Sequence, residues 1–356
     1  MKKYYTRACN FFYGTISRDL VKKKLSLPLC GDKYMSFSQI EIFTRHKKKI
    51  NSKIIEIKNI KKLPISIKKK VNQDLKKITK KREFLGKRNH LIMGILNMTP
   101  DSFSDGGKFN SLKKAFDRVE KMKNSGADII DIGGESTRPF SDPVSLKEEL
   151  SRVIPVIEGI RRESDICISI DTTKSQVAAA ALDSGACIIN DVSAMEVDPL
   201  MIGVAIKFDC PLIIMHMKGT PKNMQDNPQY ESLISDIKKY LLDRAEFIIS
   251  KGINPKKIVI DPGIGFGKTV ENNFEIINNL NHFTTMDFPV MLGASRKSFI
   301  GIYLNLPEED RLEGSLAANV IGLQNGAKIF RVHDVAETNK ALLIANKIFN
   351  SNHLIS

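Results

Sequence analysis

The 356-residue sequence contains no stretch of about 18 consecutive uncharged apolar residues, so no membrane-spanning helix is expected. Its first residues, MKKYYTRACNFFYG, carry no uninterrupted apolar segment ahead of a small-residue cleavage site, and no secretory leader is expected. Cysteine is scarce: Cys9, Cys30, Cys167, Cys187 and Cys210. None forms a C-x-x-C pair, and their odd number argues against a complete disulfide framework, so five reduced thiols in a cytoplasmic protein are expected. Metal-ligand spacing is missing as well. His216, His282 and His333 lie far apart, and neither H-E-x-x-H nor a Cys/His cluster occurs. The nucleotide fingerprints also fail. GIGFGKT (263–269) resembles the end of a Walker A loop, but its first required glycine falls on Pro262, and glycines at 263, 265 and 267 do not fit G-x-G-x-x-G.

Acidic residues are rare in one part of the chain only. Residues 1–90 hold 26 Lys/Arg against 6 Asp/Glu, a balance of +20; residues 91–356 hold the remaining 29 against 34, or −5, which together give the formal +15. The basicity thus belongs to the N-terminal quarter, and nucleic-acid binding by the main body is not expected. Within that quarter YMSFSQIEIF (34–43) alternates as a strand does, and SIKKKVNQDLKKITKKREFL (66–85) fits an amphipathic basic helix. Residues 1–85 are accordingly assigned to a basic extension or small subdomain, and 86–356 to the main domain.

From residue 91 the pattern becomes regular. Short apolar runs recur at 91–96, 127–134, 166–171, 187–191, 211–216, 257–263, 290–295 and 328–334. Stretches long enough for a helix separate them, such as SLKKAFDRVEKMKNSG (111–126) and TTKSQVAAAALDSG (172–185), each ending in a glycine suited to a left-handed cap. Continuous apolar runs suit parallel strands buried on both faces. Eight such units over roughly 260 residues predict an α/β fold, a (β/α)8 TIM barrel. A doubly wound sheet is disfavoured because its glycine fingerprint after the first strand is missing.

Nearly every run ends in a polar group: Asn97, Glu135, Asp171, Asn190 with Asp191, His216, Asp261, Ser295 to Lys297, and Arg331 with His333. Singly, each could be a helix cap, a loop ion pair or a satisfied core histidine. In a barrel they converge on the C-terminal rim, where active sites sit. Asp171, Asp261 and Asn190 offer acceptors and an amide for a flat heterocycle rich in N–H donors, since buried carboxylates need such partners. Lys297, Arg331 and His333 offer positive charge for an anionic group.

The motifs ILNMTPDSFSDGG, DIIDIGGESTRP, SIDTTK, IIND, LIIMHMKGTPKNMQ, DPGIGFGK, GASRKSFIG and RVHD, in this order over about 90–349, resemble dihydropteroate synthase. The resemblance implies a transferase of folate biosynthesis, and a sulfonamide target. It would condense 6-hydroxymethyl-7,8-dihydropterin pyrophosphate with 4-aminobenzoate, assisted by Mg2+. Carried over by motif, Asp171, Asn190, Met215, Asp261, Phe266 and Lys297 would hold the pterin. Asn97, Arg331 and His333 would hold pyrophosphate, with Asn97 also on the metal. Asp101, Phe103, Thr137, Arg138, Pro139 and Ser295 would frame the aminobenzoate side, Phe103 supplying an apolar wall from an otherwise polar loop. Asp171, Asp261, Lys297 and Arg331 would be catalytic. A homodimer is implied, and residues 1–90 are left unexplained. Phe140 stands where the family pattern has glycine, which puts sulfonamide sensitivity in question. The competing readings are a methyltetrahydrofolate-type pterin methyltransferase, and a non-catalytic barrel whose basic extension binds nucleic acid.

Overall fold

The computed structural model describes residues 3–46, 49–82, 84–86, 90–98, 107–136, 142–220 and 222–351. The chain opens with β1 (Lys3–Tyr13), α1 (Gly14–Lys22), β2 (Leu27–Leu29), β3 (Asp32–His46), β4 (Lys49–Glu56) and α2 (Ile65–Thr79). The long β3 is the hub of an antiparallel sheet, pairing with β1 along one edge and with β2 and β4 along the other. The segment 34–43 lies within β3, but its burial does not alternate: Met35, Ser36 and Phe37 are all buried, as are Ile40, Glu41 and Ile42. Both faces of this sheet are covered. Ala8, Ile40 and Ile42 on one face join Val71, Leu75 and Ile78 of α2 in a separate small core. The other face carries Tyr5, Arg7 and Phe43 and lies on the main domain, where both aromatic rings pack on His282.

Eight parallel strands follow: β5 (Leu91–Asn97), β6 (Ile129–Gly133), β7 (Cys167–Asp171), β8 (Ile188–Asp191), β9 (Leu212–Met215), β10 (Ile258–Asp261), β11 (Met291–Leu292) and β12 (Ile329–Val332). They pair in the order β10-β9-β8-β7-β6-β5-β12-β11. The remaining seam between β10 and β11 is bridged at Ile260 and Val290, where the Ile260 N–H donates to the Pro289 carbonyl at 3.0 Å. The fold is a TIM barrel. Helices α3 (Gly107–Asn124), α4 (Leu146–Glu163), α5 (Ser175–Asp183), α6 (Met201–Lys207), α7 (Leu233–Ser250), α8 (Val270–Asn278), α9 (Ser298–Leu304), α10 (Leu312–Gln324) and α11 (Val335–Phe349) alternate with the strands. Both expected glycine caps are present: Gly126 and Gly185 have φ of +98° and +110°.

Strand periodicity separates two cores. Ile130, Ile132, Ile168, Ile170, Ile189 and Ile214 point outward and pack with the helices. Met93, Ile129, Ile188, Ile213, Val259, Met291 and Ile329 point inward and fill the barrel floor, which Phe84 closes. Each such side chain, removed from water, contributes roughly 2 kcal/mol. The expectation of five free thiols is corrected here: Cys167 and Cys187 form a disulfide. Cys167 begins β7 and Cys187 immediately precedes β8, and the parallel ladder between these strands brings their Cα atoms to 6.3 Å, a proximity invisible in a sequence separation of 20.

Candidate active site

Two residues beyond the apolar floor, the inward positions change character. Ile129 is followed by Asp131, Ile188 by Asn190, Ile213 by Met215, Val259 by Asp261 and Ile329 by Arg331. Because side chains alternate along a strand, these residues form the next layer inside the barrel. Arg331 is its centre. Its Nε donates to Asp131 Oδ2 and its Nη2 to Asp171 Oδ2, each at 2.6 Å. The Asn190 amide donates to the same Asp131 oxygen at 3.1 Å. Burial works against the Arg331 charge, but Asp131 and Asp171 more than compensate and raise its pKa. Asp171 is pushed up to about 7, first by burial and then by Asp131, Glu149 and Asp191, with Arg331 opposing. Asp131 Oδ1 and Asp171 Oδ1 are buried and accept no hydrogen bond among the described residues. Such oxygens are costly without a donor, so this layer suits a ligand edge that presents N–H groups.

Across the layer, Asp261 Oδ1 accepts the Gly263 N–H at 2.7 Å, and burial raises the Asp261 pKa against the pull of Lys297. Lys297 stands at the N-cap position of α9, and its ammonium donates to the Ile264 carbonyl and sits 4.4 Å from the centroid of the Phe266 ring. Burial lowers its pKa to about 8, although Asp261 favours the charge. The loop between β10 and α8 needs its glycines for space: a Cβ at Gly263 would overlap the His216 carbonyl oxygen, and one at Gly267 the Lys218 carbonyl oxygen. Under the loop, Lys268 Nζ lies 3.0 Å from His216 Nδ1 and donates to the Phe266 carbonyl at 2.9 Å. Burial drives both groups toward their neutral forms.

The remaining predicted residues divide by geometry. Asn97 ends β5 opposite Gly133 and faces the same space as Asp171: a Cβ at Gly133 would lie 3.8 Å from Asn97 Oδ1 and 3.7 Å from Asp171 Oδ2. Met215 is buried at the end of β9. Ser295 Oγ accepts the His333 backbone N–H at 3.2 Å, tying the ends of β11 and β12 together. Asp191 is one residue past Asn190 and so faces away from the barrel axis, accepting from Ser193 and Met195. Glu135 is paired with Lys174, which also binds the fully buried Glu149 at 2.5 Å. Asp101, Phe103, Thr137, Arg138, Pro139 and Phe140 lie outside the described residues. The sequence reading missed Asp131. Its signal was a charge in the middle of the apolar run ADIIDIGG, two positions before the strand end and on the same face.

The family of pterin binding enzymes matches residues 93–333. The dihydropteroate synthase of Haemophilus influenzae is 49% identical over 253 residues, which span 71% of this chain and 92% of that protein. That of Escherichia coli is 44% identical over 71% of this chain and 89% of its own. The chain belongs to the dihydropteroate synthases. Among solved synthases, the Clostridium difficile enzyme in the presence of pteroic acid superposes with a TM-score of 0.71 and 44% identity, over 76% of this chain and 100% of that one. The Yersinia pestis synthase in a sulfonamide drug complex gives 0.70 and 42%, over 74% and 95%. The basic N-terminal residues precede the stretch matched to the family, which begins at residue 93.

Proposed function

We propose that the protein joins 6-hydroxymethyl-7,8-dihydropterin pyrophosphate to 4-aminobenzoate, forming 7,8-dihydropteroate and releasing pyrophosphate. The observation that carries this reading is the inner layer itself, with two unpartnered carboxylate oxygens beside Asn190 and Asp261, and with Arg331 and Lys297 within the same ring. The pterin's amino and ring N–H groups bond Asp131, Asp171 and Asp261, while Asn190 and Lys297 serve its acceptors. Met215 and Phe266 line its faces. The pyrophosphate lies toward Asn97, Arg331 and His333. Asp101, Phe103, Thr137, Arg138, Pro139 and Ser295 frame the aminobenzoate side.

The step is a dissociative substitution. The C–O bond to pyrophosphate breaks first, its electron pair leaving with the phosphate oxygen, and the pterin delocalises the positive charge on its exocyclic methylene. Asp171 and Asp261 stabilise that cation, and Arg331 draws on the departing anion. The amine of 4-aminobenzoate then attacks the methylene and loses a proton. Mg2+ fits this arrangement: Asn97 presents a hard amide oxygen on the side of the layer shared with Asp171, and this ion is commonly held by one or two protein oxygens plus phosphate oxygens. When bound, it supplies charge to the leaving group.

Two further assignments belong to this reading. An apolar groove of about 430 Å3, lined by Phe274, Ile277, Phe299, Tyr303, Leu304 and Ile321 of α8, α9 and α10, supports a homodimer through these helices. Among the described residues no helix is long and apolar enough to cross a membrane. A charged pyrophosphate crosses a bilayer poorly, which supports a cytoplasmic site of action. The reaction is tested by mixing the protein, Mg2+, the pterin pyrophosphate and 4-aminobenzoate. Release of pyrophosphate that requires both substrates is expected, and chelation of Mg2+ should suppress it. No release would overturn the reading. Methyl transfer from a methylated folate, or a salt-steep shift of RNA, would then direct attention to the two alternatives.

A further inference from the structure

We infer that the N-terminal sheet positions the pterin site, acting through Tyr5 and Arg45, neither of which touches a substrate. The inference rests on the pterin reading of the barrel rim. The barrel-facing side of the sheet is set by register: Tyr5 pairs with Phe43, and Lys3 with Arg45. Tyr5 stacks on Phe43 at 4.7 Å, and Lys238 Nζ lies 4.5 Å from its ring centroid; the Ser235 side chain is near enough to its hydroxyl to pull the Tyr5 pKa down against the effect of burial. Arg45 reaches Glu231 Oε2 and Asp236 Oδ1, both at 3.4 Å. All four partners lie at or just before the start of α7.

That helix start rests on Asp236 rather than on a capping side chain. Ser232 stands at its N-cap but makes no side-chain capping bond; instead its N–H donates to Asp236 Oδ2 at 2.9 Å. Before it runs the long segment 216–232, whose described residues have turns but no helix or strand. Loops of this length in compact domains are uncommon and need anchoring. This one grips the pterin side of the barrel at two points. Gln225 Nε2 donates to the Gly265 carbonyl and the Tyr230 hydroxyl to the Gly267 carbonyl, each at 2.7 Å. Those two glycines flank Phe266, over whose ring Lys297 sits. Tyr230 adjoins Glu231, so the sheet's ion pair anchors the chain one residue from the Gly267 contact. The path runs from the sheet to α7, from α7 to Tyr230, and from Tyr230 to the loop that carries Phe266.

The full chain is compared with Arg45→Ala, Tyr5→Phe, their combination and Arg45→Lys. Steady-state kinetics is read beside a calorimetric titration with the pterin pyrophosphate alone. In the double variant the pterin KM and Kd should rise about fivefold, the scale of a few half-exposed polar contacts, with the aminobenzoate KM and kcat within about twofold. Arg45→Lys should recover most of the loss. A pterin Kd within twofold of wild type in the double variant would overturn the inference. So would an unchanged pterin KM with lowered kcat and Tm, the pattern of a merely structural contact. If the wild-type chain binds the pterin but forms no product, the reaction assignment fails while the titration still decides the sheet's role. If it binds no pterin, the pterin reading itself has failed.

Discussion

Arg331 keeps its charge inside the barrel because its two carboxylate partners offset the solvation it loses. With one guanidinium between Asp131 and Asp171, neither acid is left as an isolated buried charge, yet each has an oxygen that accepts no hydrogen bond among the described residues. Asp171→Asn removes the charge that stabilises the pterin cation and leaves the shape nearly unchanged. Turnover should fall by about 100-fold or more, with a melting temperature within about 3 °C of wild type. Near-normal turnover would contradict its role. Lys297 supplies a pH test. Its pKa is pulled down to about 8, so its proton is lost as pH rises through that value. The kcat/KM for the pterin pyrophosphate should therefore fall on an alkaline limb near pH 8. Lys297→Arg should move that limb beyond pH 9, because guanidinium keeps its proton to above about 12.

Helices α8, α9 and α10 each carry large apolar groups outward. Tyr303 and Phe274 are 71% and 40% exposed and meet edge to face at 5.1 Å, beside the half-exposed Leu304 and Ile321. A patch of this kind marks an interface more often than a solvated surface. Tyr303→Asp should convert a dimer into a monomer in size-exclusion chromatography with light scattering, while the isolated barrel layer keeps its ligands. A wild-type protein that runs as a monomer would retire the assignment. The strands themselves were legible element by element. All eight apolar runs became barrel strands because a run buried on both faces needs no partner to reveal it. β1 was not legible: Tyr4 to Tyr13 mixes aromatic, charged and small residues, and its apolar faces make sense only between α2 and the barrel.

The whole molecule depends on how the N-terminal unit sits against the barrel. Arg7 bridges Glu41 and Asn279 at 2.6 Å each, Gln324 donates to the Tyr13 hydroxyl at 2.7 Å, and Tyr13 stacks on Phe349 at 5.0 Å. Arg82 donates to Cys30 Sγ at 2.8 Å and to the Thr284 carbonyl. These contacts reach α8, α10, α11 and the 3-10 segment Leu280–Met286. Removing residues 1–82 would open His282, now 3% exposed, to water along with its apolar surroundings. A truncated chain should lose about 10 °C in melting temperature or aggregate on expression, as differential scanning fluorimetry would show. Retained Tm would make the unit a separable appendage.

Composition and local pattern alone determined the count of strand–helix units, the ends of the strands and the residues at those ends. Asp171, Asn190, Asp261 and Arg331 were legible as candidates because each sits at the polar end of an apolar run, and Lys297 because it follows one closely; that Asp191, one position past Asn190, faces away was not legible from the run alone. What folding decided is which of those ends become neighbours. Arg331 lies 200 residues from Asp131 and 160 from Asp171, and only closure of the barrel makes the three one charged group. The raised pKa of Asp171, the lowered one of Lys297 and the meeting of Cys167 with Cys187 follow from the same closure. The clustering of lysines near the N-terminus suggested a basic extension or small subdomain; its hidden face, with Tyr5, Arg7, Phe43 and Arg45, took its meaning from the barrel surface it rests on. Alternation in a strand tells which residues share a face, and the surface laid against that face is a property of the tertiary structure.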